Sequence, residues 1–401
     1  MLETLWNSSL QMMMKVSSNM ATKKDEIISY ASPHTILKFE LIKKYIETWA
    51  QKLMNNDKCN GLIYIDCMCN SGIYHDQDGN IVEGSPIRVA RVLQDVANTY
   101  RNKTIQIYFN DLSEPRIEKL RSMLPEDGGN FKIVTTNMDA KELLEMIGPQ
   151  LNGAGHMHYF LLYDPYDADI HWDVLLPFFR NWGEVMINHA LLDPIRAISS
   201  VKKKSSKEKY EHTYLESFEE VLPYGSNKVA YEKRVDEIID RMKGNRRYFV
   251  ASFPFYNQNN SLQYDLIHCT SNIEGFKLYK KCAWQVFGGK SSAKNVDTEN
   301  VQMELDFSNS SSGAAVVPTD ESCYTKLDIA KYLQNNFCGK QDVPVEKLWD
   351  LLSLHPIFPS DCFRKEIKQQ LKTYYGDNVH FSLNPITGQR CQLVSFSTRK
   401  G

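Results

Sequence analysis

Four short polar segments, each closing or following an apolar run, hold the residues whose types and spacing could do chemistry. Asp66-Cys67-Met68-Cys69-Asn70-Ser71-Gly72 follows GLIYI, and Asn110 and Asp111 close TIQIYFND. Asn137 and Asp139 follow FKIVTT, and Asp164-Pro165-Tyr166 follows HYFLLY. A small-residue loop lets backbone N–H groups approach a nucleotide-like ligand closely. A carboxylate at the place of Asp111 can accept both ribose hydroxyls of an adenosine. Asn137 and Asp139 could read an adenine amine. Asp164 beside the ring of Tyr166 offers an acceptor for an exocyclic amine and a surface for a planar base. Any one of these residues could equally be a turn residue or a helix cap. Four polar strand ends in register are harder to dismiss.

Other constellations are missing. Cys67 and Cys69 are spaced C-x-C, whereas a zinc site wants C-x2-4-C with a second pair. They are expected to be small loop fillers, and no metal is expected. His156, His158 and His171 flank the fourth apolar run without a ligand cluster, and neither a Ser/His/Asp order nor a Walker loop occurs. Nine cysteines, odd in number and scattered through 401 residues with no secretory signal, point to a reduced, cytoplasmic setting. The opening MLETLWNSSLQMMMKVSS is interrupted by Glu3, Asn7 and Gln11 and reads as a terminal helix. No stretch approaches the ~18 apolar residues of a membrane span, so no membrane contact is expected. A net charge of -2 gives no global pull toward nucleic acid, which leaves local patches to supply any such affinity.

The elements that must position these residues follow from periodicity. Residues 34–54 place Ile36, Leu37, Leu41, Ile42, Tyr45, Ile46 and Trp49 at helical spacing, with Lys43, Lys44 and Glu47 opposite. GLIYID is a buried strand feeding a turn, and a helix follows from Ser85 to Tyr100 behind Gly84-Ser85-Pro86. Strand and helix then alternate through TIQIYFND, EPRIEKLRSML, FKIVTTN, AKELLEMI, HYFLLYD, HWDVLLPFFR and EVMINH. That rhythm predicts an α/β fold with a doubly wound, mostly parallel, Rossmann-like sheet. RRYFVASFPF and QYDLIHCTS are expected as an antiparallel edge pair, with FKLYKKCAWQVFG a helix after them. Residues 1–288 would form this domain, and the Ser-, Asn- and Gly-rich 289–322 a linker. In 323–401, TKLDIAKYLQNNF, PVEKLWDLLSLH and SDCFRKEIKQQLKTYYG predict three helices, followed by short strands around NPITGQ. That is the outline of a winged helix-turn-helix.

The first domain resembles the three-Cys-motif partner (TcmP) family of prokaryotic proteins. The resemblance rests on His34-Thr35, Lys38, Tyr45 and Trp49 in the opening helix, and on the loop closing at Gly72 and Tyr74. It continues through Glu83-Gly84-Ser85-Pro86, Asp164-Pro165-Tyr166, Ile187-Asn188, and Tyr264-Asp265-Leu266-Ile267 leading to Ala283-Trp284. More distantly, Asn110-Asp111, Asn137-x-Asp139 and Asp164-Pro165-aromatic are similar to the motif series of tRNA guanine-N2 dimethyltransferases. These resemblances imply S-adenosylmethionine (SAM) as cofactor, with Asp66, Cys67, Cys69, Asn70 and Gly72 in its loop. Asp111 with Asn110 would hold the ribose, Asn137 and Asp139 would lie near adenine, and Asp164, Pro165 and Tyr166 would face the acceptor amine. The family name also implies a three-Cys-motif, radical-SAM-like protein as a partner. Two residues depart from the related pattern: Asn70 stands where a glycine is usual, and Asp167 replaces another. Asn tolerates the left-handed backbone a glycine would adopt, so the loop's shape could survive.

Basic runs suggest the substrate. Lys202, Lys203, Lys204, Lys207 and Lys209 form one, and Arg241, Lys243, Arg246 and Arg247 a second. Residues 326–401 hold 11 Lys/Arg against 7 Asp/Glu, and Arg364, Lys365, Lys368 and Lys372 are expected on one exposed face of the third helix. The expected function is therefore a SAM-dependent, methyltransferase-like protein acting on a nucleic-acid base amine. The alternative is a catalytically degenerate partner of the three-Cys-motif protein, in nucleic-acid modification or phage defence.

Overall fold

The computed structural model describes residues 27–151, 156–165, 170–190, 213, 248–294, 323–383 and 392–397. The expected terminal helix, Tyr166, both basic runs at 202–209 and 241–247, most of the expected linker and the NPITGQ turn lie outside them.

A short strand, β1 (Ser29–Tyr30), leads into α1 (Pro33–Met54). Ser32 caps that helix, its Oγ accepting from Thr35 N at 3.3 Å, and Pro33 at the first turn loses no helical hydrogen bond. The central sheet takes β2 (Gly61–Asp66), β5 (Thr104–Asn110), β6 (Phe131–Thr136), β7 (Met157–Tyr163), β8 (Gly183–Ala190), β9 (Phe249–Tyr256) and β10 (Leu262–Thr270) in the order β6-β5-β2-β7-β8-β10-β9. All neighbours in it pair in parallel except β10, which runs antiparallel to both β8 and β9. This is a doubly wound, Rossmann-like sheet with an antiparallel edge. The strand order reverses between β2 and β7, and a ligand crevice is expected beyond that point.

Helices cover both faces. On one side α1, α2 (Ser85–Thr99), α3 (Glu114–Arg121) and α6 (Ile273–Val286) bury a core around Tyr45, Trp49, Phe109, Phe160 and Trp284. On the other, α4 (Ala140–Gln150), α5 (Trp172–Leu175) and the 3-10 turn after it pack Leu143, Ile147, Trp172 and Phe178 onto Ile63, Ile65 and Leu161. Strand residues alternate between these layers, so Tyr64 and Asp66 share the first face while Ile65 and Cys67 share the second.

Locally the structure departs from the periodicity in three places. HWDVLLPFFR yields only the single turn α5 and a 3-10 turn, Leu176–Phe178, because Pro177 has no N–H to continue the ladder. The Gly84-Ser85-Pro86 start of α2 has Gly84 as its N-cap, so no side chain caps that helix. A hairpin of β3 (Ile73–His75) and β4 (Ile81–Glu83), flanked by β1, follows the first loop; its strands are too short to show alternation in the sequence.

Residues 323–397 place α7 (Lys326–Phe337), β11 (Val343–Pro344), α8 (Glu346–Leu354), α9 (Arg364–Tyr375), β12 (Val379–Leu383) and β13 (Gln392–Phe396) in sequence, the sheet order being β11-β13-β12. Thr325 and Asp328 form a capping box at α7. The joint with the first sheet runs through α6. Trp284 donates from Nε1 to Ile357 O at 2.9 Å, and the fully buried Lys280 donates to Leu352 O, Ser353 O and His355 O at 3.0, 3.0 and 2.6 Å. The expected linker is tied down at its start, where Ser291 N donates to Tyr324 O at 2.9 Å.

Candidate active site

The loop after β2 is held by its neighbours' strand ends. Asp111 accepts from Asn70 N at 3.0 Å through one carboxylate oxygen and from Ser113 N at 2.9 Å through the other. Asn110 ties strands together: its Nδ2 donates to Cys67 O and Met138 O, and its Oδ1 accepts from Thr136 Oγ1 and Met138 N. Asn70 has φ 58° and Gly72 φ 74°, so the loop carries two left-handed residues on either side of Ser71. The Asn70 side chain turns back, its Nδ2 donating to Ser29 Oγ and its Oδ1 accepting from Ser71 N. At Gly72 a Cβ would stand 2.5 Å from Leu120 Cδ1, so both backbone and packing demand glycine there.

A cleft of about 300 Å³ opens beyond the ends of β2, β5, β6 and β7. Of the expected site residues, it gathers Cys67, Asn110, Asp111, Asp139 and Pro165. Leu112 and Met138 add apolar walls the sequence reading did not single out, Leu112 being 73% exposed. Asp139 is also the N-cap of α4, its Oδ1 accepting from Lys141 N at 2.8 Å. Asn137 turns to the backbone, donating to Asp111 O and Leu112 O, and so braces the exit of β5. Cys67 and Cys69 are buried, and burial pushes both thiols well above their ordinary range. Asp66, Cys69, Asn70, Gly72, Asn137 and Asp164 stand outside the cleft lining.

Asp164 differs from its expected role as an open acceptor. Its Oδ2 meets Lys38 Nζ at 2.5 Å and its Oδ1 accepts from Asn188 Nδ2 at 2.6 Å, so both oxygens are engaged. Lys38 is buried and lies 5.2 Å over the Tyr264 ring. Asp66 is buried on the same side of the sheet. Burial first, and then the Asp164 charge, push its carboxyl up to about 8, against a smaller pull from Met68 N and Lys38. Lys38 was within reach of sequence reasoning as a site residue. It falls on the apolar stripe of α1 with Leu41, Ile42 and Tyr45, and a lysine on such a stripe needs a buried partner.

On α9, the expected exposed row is only partly one. Arg364 stacks on Trp349 (5.1 Å) and donates from Nε to Ser360 O at 2.7 Å; Lys368 is half-buried and bonds Gln392 Oε1; Lys372 lies 5.3 Å over Phe381. Their spacing of four puts them on one stripe, where the stems cover aromatic rings. Lys365 lies off that stripe and is exposed.

No protein-family model and no curated protein matches the chain. Among solved structures it is similar to protein LPL1258 of Legionella pneumophila, at 11% identity over 62% of this chain and 92% of that one, with a TM-score of 0.38. The O-methyltransferase TomG of Streptomyces achromogenes, solved with SAM, is similar at 13% identity over 64% and 95%, with a TM-score of 0.32. An O-methyltransferase of Bacillus cereus, solved with S-adenosylhomocysteine, is similar at 10% identity over 66% and 90%, with a TM-score of 0.31.

Proposed function

We propose that the chain holds SAM in the cleft beyond β2, β5, β6 and β7 and directs methyl transfer to an exocyclic amine of a nucleic-acid base. The lining of that cleft carries the reading. Leu112 and Met138 offer apolar surfaces for the two faces of an adenine, and Asp139 at the rim can accept from its amine. Asp111 lines the same cleft, and a carboxylate has the acceptor capacity to take ribose hydroxyls as well as the Asn70 and Ser113 amides. The carboxylates of Asp111 and Asp139 in the cleft lining suit a cationic ligand.

SAM supplies an activated methyl on a sulfonium; the residues of this chain align and orient. Pro165 lines the cleft and follows Asp164 in the chain, which supports an acceptor side adjoining the cofactor side. A base amine reaches Asp164 only from a flipped or single-stranded nucleotide. The C-terminal unit is proposed as a winged helix that positions the nucleic acid, with Lys365 and the outer ends of Arg364, Lys368 and Lys372 meeting phosphates. Membership of the TcmP family, and a three-Cys-motif partner, belong to the same proposal.

A second reading is a catalytically silent partner protein, and the ion pair between Lys38 and Asp164 favours it, since it occupies the carboxylate an amine would need. Transfer of labelled methyl from SAM to single-stranded RNA and DNA separates the two. Incorporation that disappears in Asp164→Ala supports the enzyme. Bound SAM with no incorporation into either polymer supports the partner.

A further inference from the structure

A recognition helix reads base edges with its N-terminal residues. In the C-terminal unit that helix would be α9, and its N-terminal end is sealed against α6. Phe363, just ahead of α9, has φ 55°, a backbone that a bulky residue holds only where packing enforces it. The Trp284 ring of α6 supplies that packing, 6.5 Å from Phe363 and 6.3 Å from Phe358. Lys280 and Trp284 bond the turn between α8 and α9 at Leu352, Ser353, His355 and Ile357, and the turn buries Phe358 and Ser360. Arg364, the first residue of α9, is turned onto the protein. Its Nε donates to Ser360 O at 2.7 Å, and its guanidinium lies 3.7 Å from Asp361 and 3.9 Å from Glu346.

The outer side of α9 is open. The helix carries Arg364, Lys365, Lys368 and Lys372 against a single acid, Glu366. Lys365 and Lys372 are exposed and seven residues apart, so they project from nearly the same face, with Lys368 between them. The three lysines span roughly 10 Å along the helix, the axial length of about three phosphates on one strand. The rings on this face are covered: Trp349 is 3% exposed, and Phe381 lies beneath Lys368 and Lys372 at 5.9 and 5.3 Å. Proteins that hold single strands stack bases on open aromatic rings. A covered face with three spaced cations suits the regular phosphates of a duplex instead.

We propose that α9 lies along the sugar–phosphate backbone of a duplex and reads no sequence, with Lys365, Lys368 and Lys372 on phosphates and the base-reading end locked onto α6. This rests on the nucleic-acid reading of the C-terminal unit and narrows it. The unit supplies affinity and register, and any choice of base falls to the cleft.

The test titrates the full chain, by fluorescence anisotropy, with short duplexes of equal length and unrelated sequence and with their separated strands. Affinities for the duplexes should agree within about twofold and exceed those for the single strands. They should fall with salt at a slope of roughly −3 in log K against log salt, as three phosphate contacts require. Lys365→Ala/Lys372→Ala changes two exposed side chains and so spares the fold; it should bring the slope to roughly −1. A preference of about fivefold or more for one duplex, the least that one base contact confers, overturns the inference and leaves the nucleic-acid reading standing. An unchanged slope in the double variant, or tighter binding of the single strands, does the same. Retention of no polymer at low salt removes both, and titration with SAM then decides the cofactor reading by itself.

Discussion

Replacing Asp66 by asparagine should remove a pH dependence of stability that one buried carboxyl imposes on the fold. Asp66 is 2% exposed, and its carboxyl rises from 3.8 to about 8, chiefly through burial and then through the Asp164 charge. The folded state therefore holds a proton that the unfolded chain releases near pH 4. For an acid shifted upward, the folded state binds more protons between the two values, so stability falls as pH rises through that window. Between pH 5 and pH 8 the loss amounts to roughly 3–4 kcal/mol, at about 1.4 kcal/mol per unit and with titration at both ends counted. The amide introduced by Asp66→Asn keeps an oxygen for Met68 N, which donates to the native carboxyl at 3.3 Å, and it carries no charge to desolvate. Urea denaturation of both proteins at half-unit steps from pH 5 to pH 8.5 reads the difference directly. The variant should gain on the wild type steadily as pH rises. A difference that stays flat across that range refutes the assignment of a buried, protonated carboxyl at this strand end.

Gly72→Ala should cost about 2 kcal/mol or more by denaturation, because φ is 74° and the new methyl meets Leu120. Asn70→Gly relieves a left-handed backbone but loses the bonds to Ser29 Oγ and Ser71 N, and should destabilise by about 1 kcal/mol. Lys280→Met removes a buried donor from three carbonyls at the end of α8 and should destabilise by about 2–4 kcal/mol, with faster amide exchange at residues 353–357. Arg364→Ala should cost about 1 kcal/mol through the lost Trp349 contact, while Lys365→Ala should leave stability within about 0.5 kcal/mol. If α9 meets phosphates, Lys365→Ala should also lower the salt slope of nucleic-acid retention by about 1.

Apolar periodicity made the sheet legible, because a parallel strand buried on both faces reads as an unbroken apolar run and the helices between read as amphipathic stripes. The antiparallel pair at the edge was legible for the same reason, and β10 lies inside β9 as its mostly buried pattern requires. What failed was local. Pro177 cut a helix that its apolar residues promised, and the β3–β4 hairpin was too short to leave a pattern. At the site, the sequence located the strand ends but not what each side chain faces. Asn137 and Asn110 serve backbone groups, and Asp164 is taken by residues 126 and 24 positions away. Long-range pairing of that kind leaves no spacing signal. Lys38 was the exception, a charge on a buried stripe, and it marks the partner that closes the site.

Calorimetric titration of the full chain with SAM tests the central claim most directly. Saturable binding is expected, weakened in Leu112→Asp, which alters an apolar wall of the cleft at a side chain 73% exposed and so spares the fold. Absence of heat at millimolar SAM, or full affinity retained in Leu112→Asp, would contradict the placement of a cofactor in this cleft.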